Sequence, residues 1–573
     1  MKPAPNSEPA GRAILDRLGI AEDPLIAADP VSFLRSLVSA GTALARNPTG
    51  VAAANTRLAI GVAAAARAAA MRALGSDTPG PVSPAAGDKR FADPAYDDNP
   101  LYFLLEQQYL LTCQLASELL DAAGLDAKRD NKARFAAKFL LDALAPTNTL
   151  PGNPAALREA VSTRGRSLVA GAKNLLGDVR HNGGWPAQVD AEGFEVGVNM
   201  AATPGSVVYR SDLIELIQYE PQEKRVHAVP LLFCPPWINK YYIMDLAPGK
   251  SLIEWAVQHG HTVFAISYRN PDATMRDLGF ADYLRQGPLD AVRVVREITG
   301  APEVNTVSVC LGGTLTAIGL AHNAAVGDTS IKSATFLNTL TDFSVPGSLG
   351  IFTDEATIAG LEKQMAKKGF LDSDKMAHTF DALRANDLVF SYVVNNWLLG
   401  KKPPAFDLLV WNKDSTRMPA KMHSQYLRSC YLHNEFARGE FELDGEKLQP
   451  QKVEIDTYVL AAVDDHIVPW VSGYQTTQLL GGHNRFVLST SGHIAGIVNP
   501  PGPKPKHWTN DSLPADPQEW KANAELQDGT WWEDWATWIA KQGGPKVAAR
   551  RQLGSKDHPP IEPAPGSYVR VRA

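Results

Sequence analysis

NTVSVCLGGT, residues 305–314, decides how the rest of the chain is read. A β-rich run ends at Cys310, and a glycine pair and a second apolar run follow at once. A strand, a tight turn and a helix in that order form an elbow that can hold a nucleophile on strained backbone. The residues two places to either side must then be small, because strand and helix approach closely there. Ser308 and Gly312 meet that requirement, although glycine is the usual residue at the first of the two places. A strand-end cysteine on its own is more often a packed small hydrophobe than a nucleophile. The string therefore needs company before it carries chemistry.

That company lies downstream. An elbow nucleophile needs a histidine base and usually a carboxylate, which on this kind of fold follow in the order acid, then histidine. VLAAVDDHIVPW, residues 459–470, sets Asp464, Asp465 and His466 directly after an apolar strand, and STSGHIAG sets His493 after the next one. His493 is the preferred base because it follows the last strand in a glycine-containing loop. His466, His259, His261, His423 and His433 compete for the role. Asp465 is preferred to Asp464, though composition does not separate the neighbours.

Around these strings, short β-rich runs alternate with helical ones from about residue 194. SVVYRSDLIELIQY, VPLLFCPP, HTVFAISYRNP, IKSATFLNT, VEIDTYVLAAV and NRFVLSTSGH read as strands, several apolar throughout and so buried on both faces. SLIEWAVQHG, PLDAVRVVREITG and GTLTAIGLAHNAA read as the intervening helices, which implies a mainly parallel sheet covered on both sides. Residues 340–452 break the alternation and are expected to form a cap over the strand ends. GTWWEDWATWIAK, with Trp531, Trp532, Trp535 and Trp538, reads as a last helix docking on the sheet. Upstream, helical periodicity and abundant alanine run from about Val31 to Ala145, ending at the punctuation APTNTLPGNP. The expected layout is a flexible or helical segment over 1–90, a helical N-terminal domain over 91–193, and an α/β-hydrolase domain with its cap over 194–573. Arg57, Arg67 and Arg72 in the Ala-rich stretch read as a solvated face, with surface binding as the lesser alternative.

Composition excludes several function classes. With 56 Lys+Arg against 62 Asp+Glu, the net charge of −6 gives no electrostatic case for nucleic acid or an anionic membrane. The four cysteines, Cys113, Cys234, Cys310 and Cys430, are too widely spaced for a disulfide framework or a CxxC metal site, so no metal is expected and a reducing cytoplasmic compartment is favoured. The N-terminus lacks a basic region followed by an apolar core, and no eighteen-residue apolar run occurs, so no transmembrane segment is expected.

The strings PPWINKYYIMDL, GHTVFAISYRNPD, SVCLGGT, NDLVFSYVVNNWLLGKKPPAFDLLVWNKDSTRMP, DDHIVPW and SGHIAGIVNPP resemble polyhydroxyalkanoate synthases of the single-subunit class I type. The resemblance runs from FADPAYDDNP to PGSYV and implies the fold already inferred. It implies polymerisation of (R)-3-hydroxyacyl-CoA, of short chain such as 3-hydroxybutyryl-CoA, with CoA release and no cofactor. Cys310 is then the nucleophile, Asp465 the acid and His493 the base. Trp237 belongs to the class I form of its string, and Trp411 matches a tryptophan near a subunit contact, so a homodimer is expected. The growing polyester and its granule surface are further expected partners, in the cytoplasm. On such an enzyme the backbone N–H groups of Leu311 and of Ile238, in the Trp237–Asn239 loop, are the expected oxyanion donors. Trp237, Asn239, Trp411 and His466 are further candidates for contact with substrate or with the partner subunit. Two other functions fit the same residues: an intracellular esterase or thioesterase releasing free acid, and a non-catalytic granule protein with an Ala-rich helical anchor.

Overall fold

The computed structural model describes residues 30–573, and the first 29 residues of the expected N-terminal segment lie outside it. Two compact units divide the chain: Met1–Asp190 with His378–Phe406, and Ala191–Ala377 with Asp407–Ala573. Within the stretch 340–452, residues 378–406 thus group with the helical N-terminal region.

In the helical unit, α1 (Pro48–Ala73) and α2 (Pro100–Ala123) pack along each other. Both start on an asparagine whose side chain caps the first backbone N–H groups, with proline next. Small residues Ala54, Gly61, Ala65, Ala68 and Ala69 form the buried face of α1. A Cβ on Gly61 would lie 2.5 Å from Leu111 Cδ2, so glycine permits the close approach. The arginines of the Ala-rich stretch divide. Arg57 pairs with Glu118 of α2 at 2.8 Å, Arg72 lies 4.2 Å over the Phe103 ring, and Arg67 is exposed.

The second unit is built on an eleven-stranded sheet. Its strands are β1 (Gly205–Arg210), β2 (Ile214–Tyr219), β3 (Leu231–Cys234), β4 (Val263–Tyr268), β5 (Val304–Val309), β6 (Ile331–Leu337), β7 (Asp456–Ala462), β8 (Asn484–Ser489), β9 (Lys506–Thr509), β10 (Glu525–Asp528) and β11 (Glu562–Pro563). Their order is β10-β9-β8-β7-β6-β5-β3-β4-β2-β1-β11. Strands β3 to β8 run parallel, and the strands outside them pair antiparallel. β3 and β5 are buried at every residue, as apolar strands covered on both faces must be.

The tryptophan helix α4 (Trp531–Gln542; α3 is Leu311–Val326) buries Trp531, Trp532 and Trp535 almost completely. Burying roughly 200 Å² of an aromatic side chain is worth on the order of 5 kcal/mol of transfer free energy. Each indole N–H also finds an acceptor: Trp535 on Thr335 Oγ1 of β6 at 3.0 Å, Trp531 on Gly496 O at 2.8 Å, and Trp532 on Ile497 O at 2.9 Å. The helix therefore fixes both the sheet and the loop that follows β8. No helix among the described residues is long and apolar enough to cross a membrane.

Candidate active site

Parallel strands deliver their C-terminal ends to one edge of the sheet, where ligand sites of open α/β sheets form. Cys310 follows β5, Asp465 lies three residues beyond β7, and His493 four beyond β8. The structure brings these three side chains together.

Cys310 has φ 51° and ψ −120°, a conformation that costs a non-glycine residue on the order of 1–3 kcal/mol. Its own N–H donates to Leu337 O at 2.9 Å, and its carbonyl accepts from Gly313 N at 2.9 Å and Thr339 Oγ1 at 3.2 Å, which holds the turn. Two glycines are required here by packing. A Cβ on Gly312 would meet Cys234 O at 2.3 Å, and one on Gly313 would meet Thr339 Oγ1 at 2.1 Å.

Ser308, where glycine is usual, fits the turn without disturbing it. Its hydroxyl is buried and sits 2.9 Å from Thr316 Oγ1, which itself donates to Gly312 O at 2.8 Å. Because the Thr316 proton is committed to Gly312, Ser308 donates, and the pair ties β5 to the first turns of α3.

His493 Nδ1 lies 2.6 Å from Asp465 Oδ2, leaving Nε2 for the thiol of Cys310, which is near enough to act on the imidazole electrostatically. The second oxygen, Asp465 Oδ1, accepts from the N–H groups of Ile467 at 2.9 Å and Val468 at 2.8 Å, so the carboxylate cannot swing away. Asp464 is exposed, and this difference in burial separates the two neighbours that composition left equal. Burial works against a charged imidazole at position 493, but Asp465 and then Cys310 outweigh it, and His493 holds its proton well above the ordinary histidine range. Asn338 Nδ2 donates to His493 O. Among the competing histidines, His259 and His433 are exposed, and His261 stacks on His227 at 4.6 Å. His423 is buried 6.2 Å from the ring of Tyr426. The carbonyl of His466 accepts from Ser348 N at 3.3 Å.

Leu311 opens α3, and Ile238 lies buried in the loop after β3. The tight contact of Gly312 with Cys234 O and Pro235 O shows how closely that loop approaches the elbow. Trp237 is buried among Phe280, Tyr283 and Tyr426. Asn239 forms a β-bridge with Ser415, and the buried Trp411 donates its indole N–H to Lys240 O at 2.9 Å.

Sequence reasoning missed two phenols. Residues Tyr426–Leu432 form a π-helix, whose wider turn brings residues five apart onto one face. Tyr426 and Tyr431 pack edge to face at 5.3 Å, with Phe343 against both. Burial is the main cause that raises the phenol pKa of both residues, and Cys310 adds to it. A spacing of five in SQYLRSCYL is the only sequence signal, and at an α-helical pitch it points the rings apart.

Comparison with known proteins places this geometry in a family. Residues 87–256 match the family described as poly-beta-hydroxybutyrate polymerase (PhaC) N-terminus, and residues 229–500 match the alpha/beta hydrolase fold. The poly(3-hydroxyalkanoate) polymerase of Methylorubrum extorquens is 43% identical over 544 residues, covering 94% of this chain and 90% of that protein. The poly(3-hydroxyalkanoate) polymerase subunit PhaC of Cupriavidus necator is 43% identical over 493 residues, covering 85% of this chain and 83% of that protein. With an elbow on a largely parallel sheet and this identity over nearly its whole length, the chain belongs to the poly(3-hydroxyalkanoate) polymerases, acyltransferase-type enzymes of the α/β-hydrolase fold.

Proposed function

We propose that the enzyme builds its polyester through an acyl group carried as a thioester on Cys310, taking short-chain (R)-3-hydroxyacyl-CoA as monomer. The observation that carries this reading is the convergence of Cys310, on its strained turn, with His493 and the Asp465 that orients it. A free thiol is only a few per cent thiolate at neutral pH, and a buried imidazole that retains its proton favours the thiolate–imidazolium pair. The Cys310 sulfur attacks the thioester carbonyl carbon, and the N–H groups of Leu311 and Ile238 receive the oxyanion. The C–S bond to CoA then breaks, and CoA takes the proton from His493. Exchange of one thioester for another is close to thermoneutral, so the acyl group stays reactive.

In the second step a hydroxyl of another monomer or chain attacks the thioester on Cys310. A C–O bond forms, the C–S bond breaks, and the hydroxyl proton passes to His493, which Asp465 orients. The aromatic rings of Trp237, Phe280, Phe343, Tyr426 and Tyr431 support both the short-chain preference and the exclusion of water that an acyl-enzyme requires. Exposed Val161, Val169, Leu176 and Val179 on the helical unit support association with the granule surface. The enzyme works in the cytoplasm, without a cofactor, as a homodimer to which the cap contributes.

Incubation with (R)-3-hydroxyacyl-CoAs of increasing chain length, following CoA release and insoluble product together, tests the reading. Polymer from the short-chain members supports it. CoA release with free acid alone makes the protein a thioesterase, and neither product makes it a non-catalytic granule protein.

A further inference from the structure

The loop that carries the expected oxyanion donor is held from the cap side by an ionic clamp, buried at Lys240 and half-buried at Asp414. Lys240, whose side chain is 4% exposed, places its ammonium 2.6 Å from Asp414 Oδ1, and the hydroxyl of the fully buried Tyr242 donates to Asp414 Oδ2 at 2.9 Å. On either side of this pair, the Trp411 indole grips Lys240 O, and Asn239 bridges to Ser415. Residues 239–242 thus meet residues 411–415 at four points, immediately after Ile238. Replacing a buried ion pair by apolar groups of similar size is often neutral or stabilising, so stability is a poor reason to keep one. Geometry is a better one, because a misplacement of about 1 Å at a reacting centre can cost on the order of 10²-fold in rate.

We propose that Lys240, Asp414 and Tyr242 are positioning residues that fix the Ile238 N–H against the oxyanion formed at Cys310, so that the cap segment sets the catalytic rate. The proposal rests on the reading of Cys310 as the acyl carrier. Burial holds the Lys240 ammonium below its ordinary pKa, Asp414 offsets this only in part, and Arg572 is the other cation facing the pair. The clamp acts through hydrogen-bond geometry and leaves the rings of Trp237, Phe280, Phe343, Tyr426 and Tyr431 untouched, which predicts a change in kcat with KM preserved.

The test is steady-state CoA release from (R)-3-hydroxybutyryl-CoA by the full chain, its Lys240→Met/Asp414→Leu double variant and Tyr242→Phe, with a melting curve for each. The double variant is expected to melt near the wild-type temperature, with kcat lower by on the order of 10²-fold and KM within about twofold. Tyr242→Phe is expected to lose several-fold in kcat alone. A folded double variant with wild-type kcat overturns the proposal, as does a loss confined to KM. If the double variant does not fold, an unchanged kcat in Tyr242→Phe overturns it instead. Absence of CoA release by the wild type is a different failure, that of the acyl-carrier reading itself.

Discussion

On the proposed mechanism, Asp465→Asn is expected to separate the two halves of the reaction. The carboxylate is wholly buried and 2.6 Å from His493 Nδ1, and the amide keeps an oxygen for the N–H groups of Ile467 and Val468. The substitution therefore removes charge with little change of shape. In the proposed acylation step the protonated His493 gives its proton to the departing CoA. Losing the Asp465 charge, which holds that proton on the imidazole, makes the transfer no harder. During elongation Cys310 is acylated and neutral, so Asp465 alone stabilises the imidazolium that develops as the hydroxyl is deprotonated. A hydrogen bond to a charged group is worth about 1.5–3 kcal/mol, so elongation is expected to slow by roughly one to two powers of ten. Acylation should stay within a few-fold of wild type. Single-turnover acylation with radiolabelled (R)-3-hydroxybutyryl-CoA, set beside steady-state CoA release, measures the two separately. Equal losses in both steps refute this division of labour.

Three further outcomes follow from the same contacts. Ser308→Ala breaks the buried bond to Thr316 but leaves Thr316 on Gly312 O, so a loss of about 1 kcal/mol in urea denaturation is expected with CoA release within about twofold of wild type. Trp531→Phe leaves Gly496 O buried without its donor in the loop that follows His493; kcat and the thermal midpoint should both fall, and an unchanged kcat shows that the loop is held without it. Because the folded-state value of His493 is raised, its protonation contributes stability that is complete below about pH 6.5 and is lost as the pH rises through the folded value. The stability gap between wild type and Asp465→Asn is therefore widest near pH 6 and narrows in alkali, and a gap that does not vary with pH contradicts the assignment.

The parallel core was legible because burial on both faces leaves continuous apolar runs such as VPLLFC and VFAI, and because the site residues follow closely on strand ends. β9 and β10 were not legible. KHWT and ELQD are short and largely polar, and they become strands only by pairing antiparallel beyond β8. The contacts that decide the site are equally silent in composition. Nothing marks Asp465 as buried and Asp464 as exposed, or links Thr316 to Ser308 eight residues away. The π-turn that aims Tyr426 and Tyr431 together depends on a backbone choice without a residue signature. The pairing of Lys240 with Asp414 joins residues 174 positions apart, a separation that periodicity cannot bridge.

Whether Cys310 carries the acyl group is read by peptide mass spectrometry after acid quench during turnover of (R)-3-hydroxybutyryl-CoA. Hydroxyacyl adducts are expected on the peptide containing Cys310, and neither adduct nor polymer from Cys310→Ala. Polymer made by Cys310→Ala, or an adduct confined to another residue, contradicts that role.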